Sequence, residues 1–428
     1  MVKPFFDLQA HQTTVKTEVI AGFTTFLTMA YIIFVNPNIL AEAGMDKSAL
    51  IAVTCLVTAV STIATGLLAN APIAMAPGMG LNAFFAYTLV LTRQVTWQTA
   101  LAVVFLSGLF FLILTLAGLR KKLVEAIPQS LTAAISVGIG LFITFIGLQN
   151  LGLIVAHPVT LVTSAHLTPT ILVGLAGLAV MIIFEMRRIP GALLIGIAFS
   201  TALAALLGYI SLPQKLVSIN INILPTAFKM DFVGALKWGM FSSIFTLMFI
   251  DMFDSIGTLL AVAPQAKLVD AGGKFEKLDR LLTIDAAATM FGAVCGTSTT
   301  TSYIESAAGI AQGGRTGLTA VVTGILFLAA MLFVPLAGIV PNYATAPALI
   351  MVGLFMTRQI RLIDFSDMQQ GLPAFIIMVM IALSYSISTG LAFGFITYTL
   401  IEILTGKFRN IKPAMWVIAV LSVLYFCV

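Results

Sequence analysis

The sequence predicts an all-α membrane protein of fourteen transmembrane segments, built as a seven-plus-seven inverted repeat with two short β-strands in broken segments 3 and 10. Three observations lead there: an apolar composition, a one-sided placement of basic residues, and two polar, helix-breaking interruptions at comparable places in the two halves. The 428-residue chain is 60% hydrophobic and 9% charged, whereas a soluble domain carries about 25% charged residues. The first ten residues include Asp7 and lack an apolar core followed by a cleavage site, so no cleavable leader is expected. Cys55, Cys295 and Cys427 lie in apolar stretches, which implies no disulfide framework. The net charge of +5 calls for no nucleic-acid partner.

The segments are read at 17–35, 48–69, 75–91, 97–118, 131–153, 168–186, 190–210, 234–263, 281–295, 298–312, 316–334, 344–357, 371–387 and 389–405. Most are near the ~20 residues needed to cross a bilayer. With the N-terminus inside, 17 of the 22 Lys and Arg fall on the inner side, leaving Lys47, Arg93, Lys215, Lys229 and Lys237 outside. That bias is the positive-inside signature, and it places both termini in the cytoplasm. The inner set includes Lys3, Arg120, Lys121, Lys122 and Lys274. The apolar tail 413–428 is short and is read as lying in the interface.

The two halves echo one another. Phe23–Ile32 (FTTFLTMAYI) aligns without gaps on Phe241–Ile250 (FSSIFTLMFI), an offset of 218 residues. Thr132–Thr144 aligns on Thr345–Thr357 at an offset of 213. An odd number of spans per half makes the repeat inverted, with a site expected near the midplane where the halves meet.

The interruptions are Met75–Tyr87 (MAPGMGLNAFFAY) and Gly296–Gly317 (GTSTTTSYIESAAGIAQGGRTG). Broken backbone inside a bilayer must be buried or line a wet cavity, because lipid satisfies no free N–H or C=O. Pro77, Gly78 and Gly80 oppose regular helix, which can begin near Leu81; Thr297–Ser302 favours strand, and helix can begin near Ile304. Two half-helix N-termini facing one cavity would supply free N–H donors. The bland alternative is a pair of kinked spans packed through small residues.

Glu305 stands near the start of the second half-helix, a costly place for an acid unless it is wet or paired. Asp251 and Asp254 share one helix face, and Asn36 is the repeat counterpart of Asp254. Asp254 is the favoured ligand; Asp251 is either a cation or proton group or a structural one. Asn82 could face a ligand or cap its half-helix. Thr24, Thr25 and Thr28 form a stripe that suits helix packing at least as well as binding. Asp285 is read as a structural partner, and Arg315, in a cytoplasmic turn, as an anchor. His11, His157 and His166 fall in termini or loops, so no buried histidine relay is expected. No Cys/His cluster has metal-ligand spacing and no phosphate-binding Gly-Lys loop is present. No metal, cofactor or catalytic group is expected, and the chain does not read as an enzyme.

Gly22–Pro37 (GFTTFLTMAYIIFVNP), Ala76–Ala86 (APGMGLNAFFA), Phe253–Leu259 (FDSIGTL) and Tyr303–Val322 (YIESAAGIAQGGRTGLTAVV) resemble the AzgA-like branch of the nucleobase:cation symporters, over nearly the whole chain. The resemblance implies adenine, guanine or hypoxanthine transport, and the seven-plus-seven fold of the uracil permeases. It implies a core domain from 1–126 and 233–335, a gate domain from 127–232 and 336–428, and a homodimer in the cell membrane. It matches the base-binding acids to Asp254 and Glu305 and the asparagine of span 3 to Asn82. Ser306 stands where xanthine and urate permeases carry Asn, which argues against those substrates.

The expected mechanism is purine import by alternating access. Glu305 and Asp254 accept the base's N–H groups, amides near Gly80 and Ile304 donate, Phe84 or Phe85 stacks, and Asn82, Thr28 and Thr25 complete the candidate site. Protonation at Glu305, Asp254 or Asp251 would couple uptake to H⁺, favoured over Na⁺. The alternatives are a uracil or xanthine permease, or an anion transporter of the same fold; several acids in the site oppose the latter.

Overall fold

The computed structural model describes residues 5–118, 127–211, 213, 215–218, 221–269, 275–407, 409 and 411–427. Lys3, Arg120, Lys121, Lys122 and Lys274 of the inner basic set lie outside the described residues. The first half contains α1 (Val15–Met29), α2 (Ile32–Ala41), α3 (Lys47–Ala64), β1 (Met75–Pro77), α4 (Met79–Ala83), α5 (Trp97–Leu116), α6 (Gln129–Asn150), β2 (Ile154–His157), β3 (Leu161–Ser164), α7 (Pro169–Met186) and α8 (Ala192–Leu206). The second contains α9 (Phe232–Ala235), α10 (Phe241–Val262), α11 (Leu278–Cys295), β4 (Thr300–Ser302), α12 (Ser306–Ala311), α13 (Gly317–Ala330), α14 (Val334–Gly338), α15 (Asn342–Thr357), α16 (Met368–Ser384), α17 (Ile387–Leu404) and α18 (Pro413–Cys427).

Eight helical stretches among the described residues are long and apolar enough to cross a membrane, from Val15–Ala41 to Ile387–Leu404. The protein is an integral membrane protein. Ile113, Leu172, Ile183 and Phe375 are exposed on helix surfaces, where lipid accepts what water would not. Helix starts follow local chemistry: Thr14, Asp46, Thr96, Thr168 and Ser386 each accept the N–H three residues on.

Several boundaries differ from the sequence reading. The first span breaks at Ala30–Tyr31 and resumes to Ala41. Helix begins at Met79 rather than Leu81, because Gly78 already has the extended conformation of an N-cap. It begins at Ser306 rather than Ile304, because Tyr303–Glu305 form a tight turn. The eighth span is preceded by the separate short helix α9. Residues 154–164, read as loop, pair as an antiparallel hairpin rich in Ile, Val and Thr, which puts His157 at a strand end. The tail forms α18, which packs on α17.

Helices pack mainly in two sets. Helix α6 lies against α15 and α16, α16 against α17, and α7 against α8. In the other set α1 packs on α12 and α13, α3 on α13, and α11 on α5 and α3. Contacts between the sets include α4 on α6, α2 on α15, α1 on α8 and α10 on α17.

At one end Glu18, fully buried, accepts from the N–H groups of Arg315 (2.9 Å), Thr316 (3.3 Å) and Thr319 (3.2 Å) and from the Thr319 hydroxyl (2.6 Å). It thereby caps α13. Arg315 donates from Nη1 to the carbonyls of Ile310 and Gly314, an anchoring role at the foot of α12. Elsewhere Arg93 donates to Gly239 and Ser243 while its guanidinium lies 5.1 Å from the centre of the Tyr425 ring, tying α18 to two other elements.

Candidate functional site

The two interruptions meet. Strand β1 pairs antiparallel with β4 in the register Met75↔Ser302, Ala76↔Thr301 and Pro77↔Thr300. Flanking bonds extend the pairing, from Gly78 N to Thr299 O at 3.0 Å and from Tyr303 N to Ala74 O at 2.9 Å. Pro77 has no N–H to lose, and a two-stranded ribbon leaves it at an edge. Each strand therefore satisfies in the other the backbone groups that lipid would leave bare.

Side chains tighten the crossing. The Tyr303 hydroxyl donates to Pro77 O, Ala74 N donates to Ser306 Oγ, and the Ser298 hydroxyl donates to Asn82 Oδ1. Asn82 is wholly buried inside α4 and bridges to the other half; the helix is capped by Gly78 backbone, so the capping reading of Asn82 is corrected. Ser306 is likewise buried, its hydroxyl oxygen accepting from the Ala74 N–H just ahead of β1.

Glu305 and Asp254 are half-buried, unlike the sealed residues around them. Glu305 accepts from the Tyr31 hydroxyl at 2.8 Å, and Asp254 from Thr301 Oγ1 at a long 3.5 Å. The two carboxylates carry most of the site's unused acceptor capacity, since a carboxylate can accept about four hydrogen bonds.

The donors are distributed unequally. Ahead of α12, the N–H groups of Ser306, Ala307 and Ala308 are spent on the carbonyls of Tyr303, Ile304 and Glu305. Two half-helix N-termini supplying free N–H groups were expected; the turn at Tyr303–Glu305 takes up the first amides of α12. Among the described residues the N–H groups of Met79 and Gly80 at the start of α4, and of Ile304 in the turn before α12, have no backbone acceptor.

The remaining candidates divide. Ile304 is 45% exposed beside Glu305, whereas Phe84 and Phe85 are fully buried. At Gly80 a Cβ would stand 2.5 Å from Ile139 Cγ2, so α4 leans directly on α6. Thr24 and Thr28 donate to carbonyls of their own helix. Thr25 packs under α12, its hydroxyl 2.1 Å from where a Cβ on Gly309 would be. Asp251 is buried and accepts from Thr289 at 3.0 Å, away from the opening. Asn36, the counterpart of Asp254, donates to Thr54 (2.7 Å) and Thr297 (3.2 Å).

Sequence reasoning missed Tyr31, although it continues the spacing of Thr24 and Thr28 on one helix face. It also missed the pairing of Ser298 with Asn82, for which no local signal exists.

The model of the xanthine/uracil permeases, described as "Permease family", matches residues 16–426. The chain belongs to this permease family. The permease is 44% identical over 425 residues to the adenine permease AdeP of Escherichia coli K12, covering 99% of this chain and 95% of that protein. It is 41% identical over 437 residues to the guanine/hypoxanthine permease PbuG of Bacillus subtilis 168, covering 99% of each. Among solved structures it resembles the transmembrane domain of the cyanobacterial bicarbonate transporter BicA, with a TM-score of 0.67, 13% identity, and coverage of 86% of this chain and 96% of that one. At that identity the likeness concerns the fold alone. The permease is a transporter and not an enzyme.

Proposed function

We propose that this permease imports purine bases, with adenine, hypoxanthine and guanine as the candidate substrates, by proton symport. The carrying observation is the pair of half-buried carboxylates, Glu305 and Asp254, at a sealed strand crossing. A neutral purine offers N–H donors to two such acceptors and ring nitrogens to the amides of Met79 and Gly80. An inorganic anion would meet repulsion there. The names of AdeP and PbuG, each matched over almost its full length, support a purine over other substrates.

In this reading the chain has fourteen spans in two inverted sevens, with both termini cytoplasmic. The helix set containing α1, α3, α10, α11 and α13 is the core, and the set containing α6, α7, α15, α16 and α17 is the gate. The packing described above supports that division, and movement of one set against the other would alternate access. The β1–β4 crossing belongs wholly to the core, so the site would travel as a unit.

The test is labelled adenine uptake into proteoliposomes under an inward proton gradient or an inward sodium gradient. Unlabelled hypoxanthine, guanine, xanthine and uracil serve as competitors. Uptake driven by protons, competed by hypoxanthine or guanine and abolished in Glu305→Gln, is expected. Sodium-driven uptake, or competition by uracil or xanthine alone, would overturn the corresponding part; wild-type uptake by Glu305→Gln would remove the carboxylate from the mechanism.

A further inference from the structure

Behind Asp254 lies a second acid that the sequence reading treated as structural. Asp285, on α11, is fully buried. Its Oδ2 accepts from the Ser255 hydroxyl at 2.6 Å, and Ser255 Oγ is 2.8 Å from Thr301 Oγ1, which in turn contacts Asp254 Oδ2 at 3.5 Å. The four oxygen-bearing groups form one continuous chain from the half-open site to the interior. Among the described residues Asp285 Oδ1 has no hydrogen-bond partner, and neither has Oδ1 of the neighbouring buried Asp251. A buried carboxylate with an oxygen left bare costs several kcal/mol unless a proton or cation neutralises it.

Among the described residues, the elements packed against Asp285 offer no cation. Helix α5 carries no titratable side chain, α10 contributes Asp251 and Asp254, and α3 contributes Cys55 and, at its first residue, Lys47. Lys47 is engaged with Val340 O at 3.2 Å. On α11 itself the other charges, Asp279 and Arg280, lie in the first turn, and Arg280 donates to Leu68 O.

We propose that Asp285 holds the coupling proton, delivered from Asp254 through Thr301 and Ser255; this rests on the proton-symport reading above. The step balances. Asp254, protonated from the open side, gives its proton to Thr301 Oγ1; Thr301 passes its own to Ser255 Oγ; Ser255 passes its own to Asp285 Oδ2. Asp254 ends as a carboxylate and Asp285 as a carboxylic acid, with both hydroxyls restored and their bonds reversed. The arrangement resolves a conflict within the site. A proton kept on Asp254 would spoil it as an acceptor for the base, whereas a proton one layer deeper neutralises the buried charge and leaves Asp254 free. Base and proton then stabilise each other's binding without competing for one oxygen.

The experiment compares wild type, Asp285→Asn, Asp285→Glu and Ser255→Ala in proteoliposomes. Two readouts are taken: accumulation under a one-unit inward pH gradient, and gradient-free exchange of labelled for unlabelled base. One-to-one coupling gives wild type about tenfold accumulation. Asp285→Asn is expected to equilibrate at a ratio near one while keeping exchange, Asp285→Glu to recover accumulation, and Ser255→Ala to slow proton-driven uptake severalfold with exchange unchanged. Wild-type accumulation by both Asp285→Asn and Ser255→Ala would overturn the proposal. So would parallel loss of exchange and accumulation in Asp285→Asn without rescue by Glu, since that marks a structural group. Absence of proton-driven uptake in wild type would instead defeat the symport reading itself, and the proposal with it.

Discussion

A single hydroxyl sets the posture of Glu305. Tyr31 sits at the break between α1 and α2, and its donation to Glu305 Oε1 links that break to the turn before α12. A hydrogen bond to a charged group contributes about 1.5–3 kcal/mol. Tyr31→Phe is therefore expected to raise the KM for the base about tenfold or more in uptake assays, with the melting temperature little changed; an unaltered KM would show that Glu305 needs no such support. Ser298→Ala tests a different residue. It leaves Asn82 Oδ1 buried without its donor, an expected loss of about 1–3 kcal/mol, read as a lower unfolding temperature in detergent. Glu305 and Asp254 were legible in the sequence because an acid in an apolar span is conspicuous. Tyr31 and Ser298 were not, because a tyrosine or serine in a membrane helix is unremarkable until its partner, hundreds of residues away, is known.

Short elements depend on what lies beneath them. The six-residue α12 rests on α1 through Gly309, where a Cβ would meet Thr25 Oγ1 at 2.1 Å and Ala21 O at 2.5 Å. Gly309→Ala should displace α12, destabilise the protein by about 1–3 kcal/mol and impair uptake. Adding Thr25→Ala should not restore either property, since the Ala21 carbonyl remains; full recovery in the double variant would contradict this packing. Asp231, which caps α9, offers a pH test. The Gly234 N–H and then the Thr99 hydroxyl hold its carboxyl below the usual value of 3.8. A depressed folded-state value means its contribution is present above pH 3.8 and is lost as pH falls through the folded-state value. The melting-temperature difference between wild type and Asp231→Asn should shrink over that acid range and stay constant above it. Proline, glycine and threonine revealed the broken elements, but not their starts to the residue: Gly78 and the turn at Tyr303–Glu305 decide those through backbone geometry. The β2–β3 hairpin escaped notice because eleven residues of mixed apolar and polar character between two spans also read as loop.

Across the whole molecule, the apolar spans follow directly from composition, while the joining of the halves does not. Local patterns carry no address for a distant partner. Glu18 illustrates the point: one carboxylate near the start of the chain caps a helix that begins three hundred residues later. Removing the buried carboxylate leaves the N–H groups of Arg315, Thr316 and Thr319 without it and the Thr319 hydroxyl with only the Glu18 carbonyl, so Glu18→Ala should cost about 3 kcal/mol or more. Glu18→Gln, which keeps one acceptor oxygen, should lose less; equal melting temperatures for the two variants would mean the cap contributes little.

The β1–β4 ribbon also imposes a schedule on biosynthesis. Pro77 and its partner Tyr303 are 226 residues apart in the chain. At about 5–20 residues per second, the ribosome needs roughly 10 to 45 seconds to make the interval. Throughout that time the first strand has been delivered to the membrane with its edge bare. The nascent permease must therefore wait at the insertion machinery, or shelter that edge against its own early helices, until the second half arrives to close it.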